Sequence, residues 1–151
     1  MKKSYFLGVI FGFLLIWGAT ILSGVRLAVY VNVPSFLMVI GLSGITLLFS
    51  WDMDSIRRSF SAVFSTNPSR KDLRKGIDFF SASTKYLFLA AAIATGTGFI
   101  AILTNLTDMR RLGAVVALAL LSTYYSLILT LFVTLPFRYS LRKKLIEQEE
   151  S

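Results

Sequence analysis

Four long runs without a charged side chain constrain the fold of this chain more than any other feature. The runs cover residues 5–22, 33–51, 86–106 and 112–137, and none contains Asp, Glu, Lys or Arg. A helix needs about 20 predominantly apolar residues to cross about 30 Å of hydrocarbon. The chain has 151 residues, of which 55% are hydrophobic, and composition of this kind indicates lipid as the solvent. We therefore predict an all-α integral membrane protein with four transmembrane helices.

The first apolar run has a second interpretation, because it follows Met1-Lys2-Lys3. A basic start before an apolar stretch is also typical of a secretory signal peptide. Residues 5–22 are longer than the usual apolar core of such a peptide, and no convincing small-x-small cleavage site follows them. We therefore predict that this run is a retained transmembrane helix.

The positions of the basic residues predict the topology. The net charge is +8, and a four-span arrangement places most Lys and Arg side chains on one side of the membrane. These are Lys2, Lys3, Arg57, Arg58, Arg70, Lys71, Arg74, Lys75, Lys85, Arg138, Arg142, Lys143 and Lys144. Only Arg26, Arg110 and Arg111 fall on the other side. Since short loops rich in Lys and Arg stay in the cytoplasm, both termini and residues 52–85 are predicted to be cytoplasmic. Their expected partners are anionic membrane lipids rather than nucleic acid.

The loops are too short for a separate domain, so the sequence predicts a single membrane domain over residues 1–151. Pro34 and Ser35 are expected to open the second helix, because the missing N–H of proline costs nothing in a first helical turn. Residues 52–85 carry two amphipathic pieces separated by Asn67-Pro68-Ser69. We interpret them as two helices that lie on the membrane surface, with a docking site for a soluble partner as the alternative. The cytoplasmic tail, residues 138–151, is expected to be a solvated helix end.

The inventory of reactive side chains argues against an enzyme. The sequence has no Cys and no His, which removes thiol nucleophiles, imidazole bases and the usual zinc and haem ligands. All eight carboxylates fall at membrane edges, in loops or in the tail. We predict no catalytic residues, no metal site and no cofactor.

Small residues predict where the helices pack. Helices in lipid gain little from hydrophobic association, so Gly and Ala that permit close backbone approach mark packing faces. Gly8 and Gly12 form a GxxxG pair in the first helix, Gly41 lies in the second, and Gly98 belongs to a small-residue stripe in the third. These four glycines are expected to pack helices within a bundle or an oligomer.

Hydroxyl side chains distinguish the third and fourth helices. Thr95 and Thr97 lie in the third, and Ser122 lies beside Thr123 in the fourth. From Thr123 onward, Ser126, Thr130 and Thr134 follow at spacings of three or four. Such a row could line a narrow hydrated path, or each hydroxyl could donate to a carbonyl of its own helix, as Ser and Thr commonly do in apolar helices. The pattern leaves both interpretations open.

Two blocks of sequence resemble the MotA branch of the MotA/TolQ/ExbB proton-channel family. The first is YVNVPSFLMVIG at residues 30–41. The second is GFIAILTNL at residues 98–106, continued by LGAVVALALLSTYY at 112–125 and by Leu135-Pro136. With the matching order of spans, the resemblance covers nearly all of the membrane part.

The resemblance implies a subunit of an ion-driven stator complex in the bacterial inner membrane. Such subunits form a homo-oligomeric ring, a pentamer in the family, around the helices of a MotB/ExbD/TolR-like single-span partner. The partner helix brings the Asp that binds H⁺ or Na⁺. By alignment with the family, Thr95 falls on the Thr of its "GT", and Ser122 with Thr123 falls on its "TT" pair. These residues and Thr97 are therefore expected to line the ion path or face the partner.

Two departures from the family support an alternative function. The family usually has a proline early in the third helix, where this sequence reads Leu87-Phe88-Leu89-Ala90-Ala91. It also carries a large cytoplasmic domain between helices two and three, which residues 52–85 replace here. The alternative is a structural or regulatory membrane protein that keeps the bundle without ion transport.

Overall fold

The computed structural model describes residues 3–104 and 109–150, and every regular element in these ranges is helical. The helices are α1 (Lys3–Leu22), α2 (Val33–Ser50), α3 (Met53–Phe64), α4 (Arg70–Leu103), α5 (Met109–Leu129) and α6 (Leu135–Glu149). A 3₁₀ turn covers Leu27–Tyr30, and a π-turn at Thr130–Thr134 joins α5 to α6. Four helical stretches are long and apolar enough to cross a membrane. The prediction of an all-helical chain with four such helices is confirmed.

The chain divides into two compact units, Met1–Val33 and Pro34–Ser151, where the sequence predicted one membrane domain. In the first unit, α1 ends where Gly24 adopts a φ of +69°. The Gly24 N–H donates to the Ile21 carbonyl over 3.0 Å, which satisfies one carbonyl of the last turn. A left-handed residue at a helix end favours glycine, since a side chain would be strained there.

In the second unit, α2 begins at Val33, so Pro34 and Ser35 lie in its first turn. Its inner face packs through Val39, which is fully buried against Leu87, Ala91 and Ala94 of α4. Two further side-chain contacts hold α2. The Ser50 and Tyr86 hydroxyls lie 3.0 Å apart, and the rings of Phe36 and Tyr125 meet edge to face at 5.7 Å.

Helix α4 differs from the prediction at its start. The sequence predicted a separate amphipathic helix before a span at 86–106, but α4 runs without interruption from Arg70 to Leu103. No proline falls between residues 70 and 103, so nothing ends the helix where its side chains turn from polar to apolar. At 1.5 Å per residue, its 34 residues extend for about 50 Å, well beyond the hydrocarbon thickness. The second amphipathic piece is therefore the first part of α4, whereas α3 is separate, as predicted.

The tail is not a solvated helix end throughout, because one face of the first half of α6 is buried. Leu141 is fully buried and Phe137 nearly so. The ring of Phe137 meets those of Phe60 and Phe80 at 6.3 and 5.3 Å. The sequence-based expectation failed here because α6 packs on α3 and on the first part of α4. We call these three segments, Met53–Phe64, residues 70–85 and Leu135–Glu149, the helical base.

Close packing in the helical base requires a glycine. A Cβ on Gly76 would lie 2.6 Å from Leu141 Cδ1 and 3.6 Å from the Ser59 Cα. Gly76 therefore lets α3 and α6 approach the backbone of α4 together. The contact aligns α6 so that its polar side chains reach the end of α3.

Candidate functional site

The contact between α4 and α5 is closest at Gly98. A Cβ built on Gly98 would lie 2.6 Å from the Ala119 Cβ and 3.1 Å from the Ala119 Cα. Ala119 is itself buried. The absence of a side chain at Gly98 therefore lets the backbones of α4 and α5 approach closely, as the small-residue stripe predicted.

One helical turn from this contact, Thr95 and Thr123 meet across the two helices. Their Oγ1 atoms lie 2.9 Å apart, and Thr95 Oγ1 also donates to the Ala119 carbonyl over 3.1 Å. Because a hydroxyl has one proton, both bonds form together when Thr123 donates to Thr95. Both side chains are half-buried, so they are partly accessible from one side of the helix pair.

Two buried hydroxyls continue the row along α5. Ser126 is fully buried and Thr130 is nearly so, and within the described chain neither Ser126 Oγ nor Thr130 Oγ1 has a hydrogen-bond partner. A buried hydroxyl without a partner is costly, so such atoms are uncommon and call for an explanation. Thr130 also begins the π-turn, and π-turns occur frequently at functional sites.

The row ends in a second hydroxyl pair. Thr134 and Thr84 place their Oγ1 atoms 2.8 Å apart, and Thr84 also donates to the Phe80 carbonyl over 3.0 Å. We call the set Thr95, Thr123, Ser126, Thr130, Thr134 and Thr84 the hydroxyl row. One pair, Thr95–Thr123, joins α4 to α5, and the other, Thr84–Thr134, joins α4 to the π-turn. Between the two pairs lie the hydroxyls of Ser126 and Thr130, which have no partner among the described residues.

The predicted site residues are only partly brought together. Thr95 and Thr123 are in contact, and Ser122 is buried next to Thr123 on α5. Thr97 is exposed, and its hydroxyl donates to the Ile93 carbonyl of its own helix over 2.9 Å. The bond to the same helix that the sequence allowed is therefore found at Thr97, whereas Thr95 and Thr123 bond across the helices.

The predicted packing glycines also differ in their surroundings. Gly98 makes the close approach described above, whereas a Cβ on Gly8 or Gly41 would meet nothing within 4 Å among the described residues. Gly12 is half-buried. Pro34 is exposed in the first turn of α2, and Ser35 beside it is half-buried.

The hydroxyl row is uncharged. Residues 86–104 and 112–137 contain no Asp, Glu, Lys or Arg, so no titratable carboxylate accompanies the row. Among the residues the structure describes, no three His, Cys, Asp or Glu side chains are grouped to hold a metal ion. The row can donate and accept hydrogen bonds, and none of its six side chains carries a charge.

A group of residues in the helical base was missed by the sequence analysis. Lys144 Nζ donates to the carbonyls of Ala62, Val63 and Ser65 over 3.0, 2.8 and 2.7 Å. These carbonyls end α3, where backbone acceptors lack helical partners and a positive charge is favourable. Gln148 adds a bond from its Nε2 to the Pro68 carbonyl over 3.0 Å. No sequence signal distinguishes Lys144 from its neighbour Lys143, because both appear simply as tail cations.

Burial and local partners shift two pKa values in the helical base. Burial lowers the pKa of Lys144 below its ordinary value. At the start of α3, the Ser55 hydroxyl donates to Asp52 Oδ2 over 2.7 Å and lowers the pKa of that carboxyl, helped by the charges of Lys75 and Arg58. The Asp52 carboxylate is thereby bonded to the first turn of α3.

At the start of α4, Ser69 and Asp72 form a sequence pattern that could have predicted where the helix begins. Ser69 Oγ accepts from the Asp72 N–H over 3.1 Å, and the Ser69 hydroxyl donates to Asp72 Oδ2 over 2.6 Å. The first bond is the N-terminal cap that a Ser can form, and the second holds the Ser69 hydroxyl against the Asp72 carboxylate. The cap fixes the residue at which α4 begins.

A comparison of the sequence with protein-family models and with curated proteins gives no match.

Proposed function

We propose that this chain is a ring-forming, MotA-like subunit of an ion-driven, stator-type membrane channel that works with a partner helix. The carrying observation is the hydroxyl row, which runs along the α4–α5 contact without any charged residue. In this proposal a single-span partner supplies the carboxylate, and the row supplies its polar neighbours. A carboxylate at membrane depth is costly unless it faces polar groups or water, so the two parts need each other.

The half-buried Thr95–Thr123 pair is the proposed point of contact with the partner. Thr123 can rotate its hydroxyl to donate to a carboxylate instead of to Thr95, since hydroxyl protons adjust to the available acceptors. Ser126 and Thr130 would extend the polar path towards the helical base. The transported ion in this proposal is H⁺ or Na⁺, because hydroxyl oxygens can accompany either.

The exposed apolar side chains of α4 and α5 support assembly into a ring. Phe88, Leu89, Ile93, Leu120 and Leu127 are all at least 44% exposed. In a bilayer these side chains can contact lipid or neighbouring subunits. The proposal places both termini and the helical base in the cytoplasm of a bacterium, with the chain in the inner membrane, because most basic residues lie on that side.

The deciding experiment measures ion flux from vesicles that hold the full chain together with a single-span protein whose membrane helix carries an Asp. A pH-sensitive dye reports H⁺ and a sodium-sensitive dye reports Na⁺. We expect flux in the wild type and a loss of about tenfold or more in Thr123→Val. Thr97→Val is the matched control, because Thr97 is exposed and bonded within its own helix. A chain that stays monomeric with and without the partner would contradict the proposal.

A structural or regulatory membrane protein is the second candidate. It is favoured by the Thr95–Thr123 bond itself, because the two hydroxyls and the Ala119 carbonyl satisfy one another within the chain. In that case Thr123→Val would weaken the helix contact but change no ion flux. Equal dye signals from vesicles with and without the protein would support this second function.

A further inference from the structure

A cavity of about 400 Å³ lies in the second unit where α2 ends. It is bounded by α2, α3, α4 and the π-turn, and most of its lining is aliphatic or aromatic. Gly44 from α2, Phe60 from α3 and Phe79 from α4 all contribute. Its volume is within the range of about 300–1,000 Å³ that is typical of small-molecule sites.

The hydroxyls that line this cavity are already bonded inside the protein. Ser43 donates to the Val39 carbonyl over 2.6 Å, and Ser83 donates to the Phe79 carbonyl over 2.8 Å. Thr134 is paired with Thr84 over 2.8 Å. The lining contains no charged side chain. The cavity therefore suits an apolar chain rather than a polar ligand, which would lose its hydrogen bonds to water there.

The position of the cavity indicates that its ligand also has a polar part. Leu47 and Leu48 line it from the last turn of α2, where the apolar span ends at Ser50. Ile56 lines it from α3, a helix with one strongly polar face. The cavity thus spans the level at which apolar helix surface gives way to polar surface. A molecule with an apolar tail and a polar head matches this level.

The charges around the cavity favour an anionic head. Arg57 follows the lining residue Ile56 and is exposed, and Arg138 lies one helical turn beyond the lining residue Thr134. Lys75 Nζ lies 3.4 Å from Ser55 Oγ, next to Ile56 in sequence. Residues 52–85 contain seven basic side chains against four carboxylates, and one of these, Asp52, is bonded to Ser55. The segment that supplies the α3 and α4 lining residues below residue 86 is therefore net positive.

We propose that the cavity binds one acyl chain of an anionic membrane phospholipid, whose phosphate is held by Arg57, Lys75 and Arg138. Basic sites between helices at the cytoplasmic surface bind anionic head groups. The cavity shares Thr134 with the hydroxyl row, but lipid binding can be measured without measuring ion passage. It would hold α2 and the helical base together through the lipid.

Trp51 provides a direct readout, because its ring meets the lining residue Phe79 edge to face at 5.7 Å. The chain has two tryptophans, so Trp17→Phe leaves Trp51 as the only tryptophan. This variant, otherwise the full chain, is placed in vesicles of phosphatidylcholine that contain a small fraction of lipid with brominated acyl chains. The brominated lipid is either phosphatidylglycerol or phosphatidylcholine, and bromine quenches Trp51 on contact.

We expect brominated phosphatidylglycerol to quench Trp51 at a concentration about fivefold lower than brominated phosphatidylcholine, or lower still. This factor corresponds to about 1 kcal/mol, the contribution of one basic residue near an anionic lipid, and is therefore the smallest difference expected of the three. Arg57→Gln should reduce the preference. Equal quenching of Trp51 by the two lipids in the Trp17→Phe protein, whose cavity is unchanged, would by itself overturn the proposal.

A cavity-filling variant tests whether the quenching arises inside the cavity. Gly44→Phe can place its ring there, because a Cβ on Gly44 meets nothing within 4 Å. Thr46→Phe is the matched control, since it adds the same ring two residues away on α2 at an exposed position outside the lining. We expect the preference for phosphatidylglycerol to disappear in Gly44→Phe and to persist in Thr46→Phe. A preference retained in Gly44→Phe would overturn the proposal. Quenching that appears only when the protein is diluted in lipid would also overturn it. In that case a second copy of the chain fills the cavity until dilution separates the two copies.

Discussion

Lys144 Nζ donates to the Val63 carbonyl over 2.8 Å and so links the last helix of the chain to the end of α3, 81 residues earlier. The bond belongs to a set of three, since the Ala62 and Ser65 carbonyls accept from the same ammonium group. A cation at this end of a helix satisfies free acceptors and opposes the negative end of the helix dipole. Lys144 therefore connects the tail to the helical base.

Replacing Lys144 by Met should destabilise the helical base. Hydrogen bonds to charged groups contribute about 1.5–3 kcal/mol, and three carbonyls lose their donor in this variant. We expect amide hydrogen exchange in Met53–Phe64 to accelerate about tenfold or more, measured by mass spectrometry on the full chain in detergent. Lys143→Met is the matched control, because Lys143 makes only an exposed 3.8 Å ion pair with Glu147. Equal acceleration in both variants would show that the three carbonyl bonds contribute nothing.

Removing the Ser55 hydroxyl should make the stability of the protein depend less on pH in the acid range. In the wild type this hydroxyl lowers the pKa of Asp52 below its ordinary value of 3.8. The stabilisation is complete above that ordinary pKa and is lost as the pH falls through the lowered pKa of the folded state. Ser55→Ala should therefore differ from wild type in unfolding midpoint by a constant amount above about pH 5, and the difference should shrink below pH 4. A difference that is the same at pH 3 and pH 7 would rule out the Asp52 bond as its cause.

Exchanging Gly98 and Ala119 should restore an α4–α5 contact that Gly98→Ala alone disrupts. Gly98→Ala places its Cβ 2.6 Å from the Ala119 Cβ, so the helices must separate, at an expected cost of about 1–3 kcal/mol. The double variant Gly98→Ala with Ala119→Gly should recover most of that loss in thermal unfolding, because one methyl group again lies in the contact. Gly96→Ala is the control, since its Cβ meets nothing within 4 Å. Additive losses in the double variant would exclude a direct clash between these two positions.

Thr95 and Thr123 should be energetically coupled, whatever the function of the pair. Interhelical hydrogen bonds in membrane proteins contribute about 0.6 kcal/mol on average. A double-mutant cycle with Thr95→Val and Thr123→Val should give a coupling energy of about 0.5–1.5 kcal/mol in unfolding experiments. The same cycle with Thr97→Val and Thr123→Val should give none, because Thr97 bonds to Ile93. Coupling of the same size in both cycles would point to a general loosening of the helices.

The sequence by itself determined the elements that depend on local composition. Apolar length predicted four helices able to cross a membrane, and Asn67-Pro68-Ser69 predicted the break between α3 and α4. Hydrophobic length and helix breakers act within a few residues, so they can be recognised along the chain. The same rule failed at residue 86, because a change from polar to apolar surface does not end a helix that contains no breaker.

Only the tertiary structure decided which residues meet. Helical periodicity places Thr95 and Thr97 on different faces of α4, but it does not say that α5 covers the face of Thr95. Nor does it choose Lys144 over Lys143 as the partner of α3, because that choice depends on how α6 is rotated when Leu141 packs against Gly76. Local sequence fixes the direction of each side chain relative to its own helix, whereas packing between distant segments fixes what lies in that direction. The α3–α6 bonds, the hydroxyl row and the cavity all belong to the second kind.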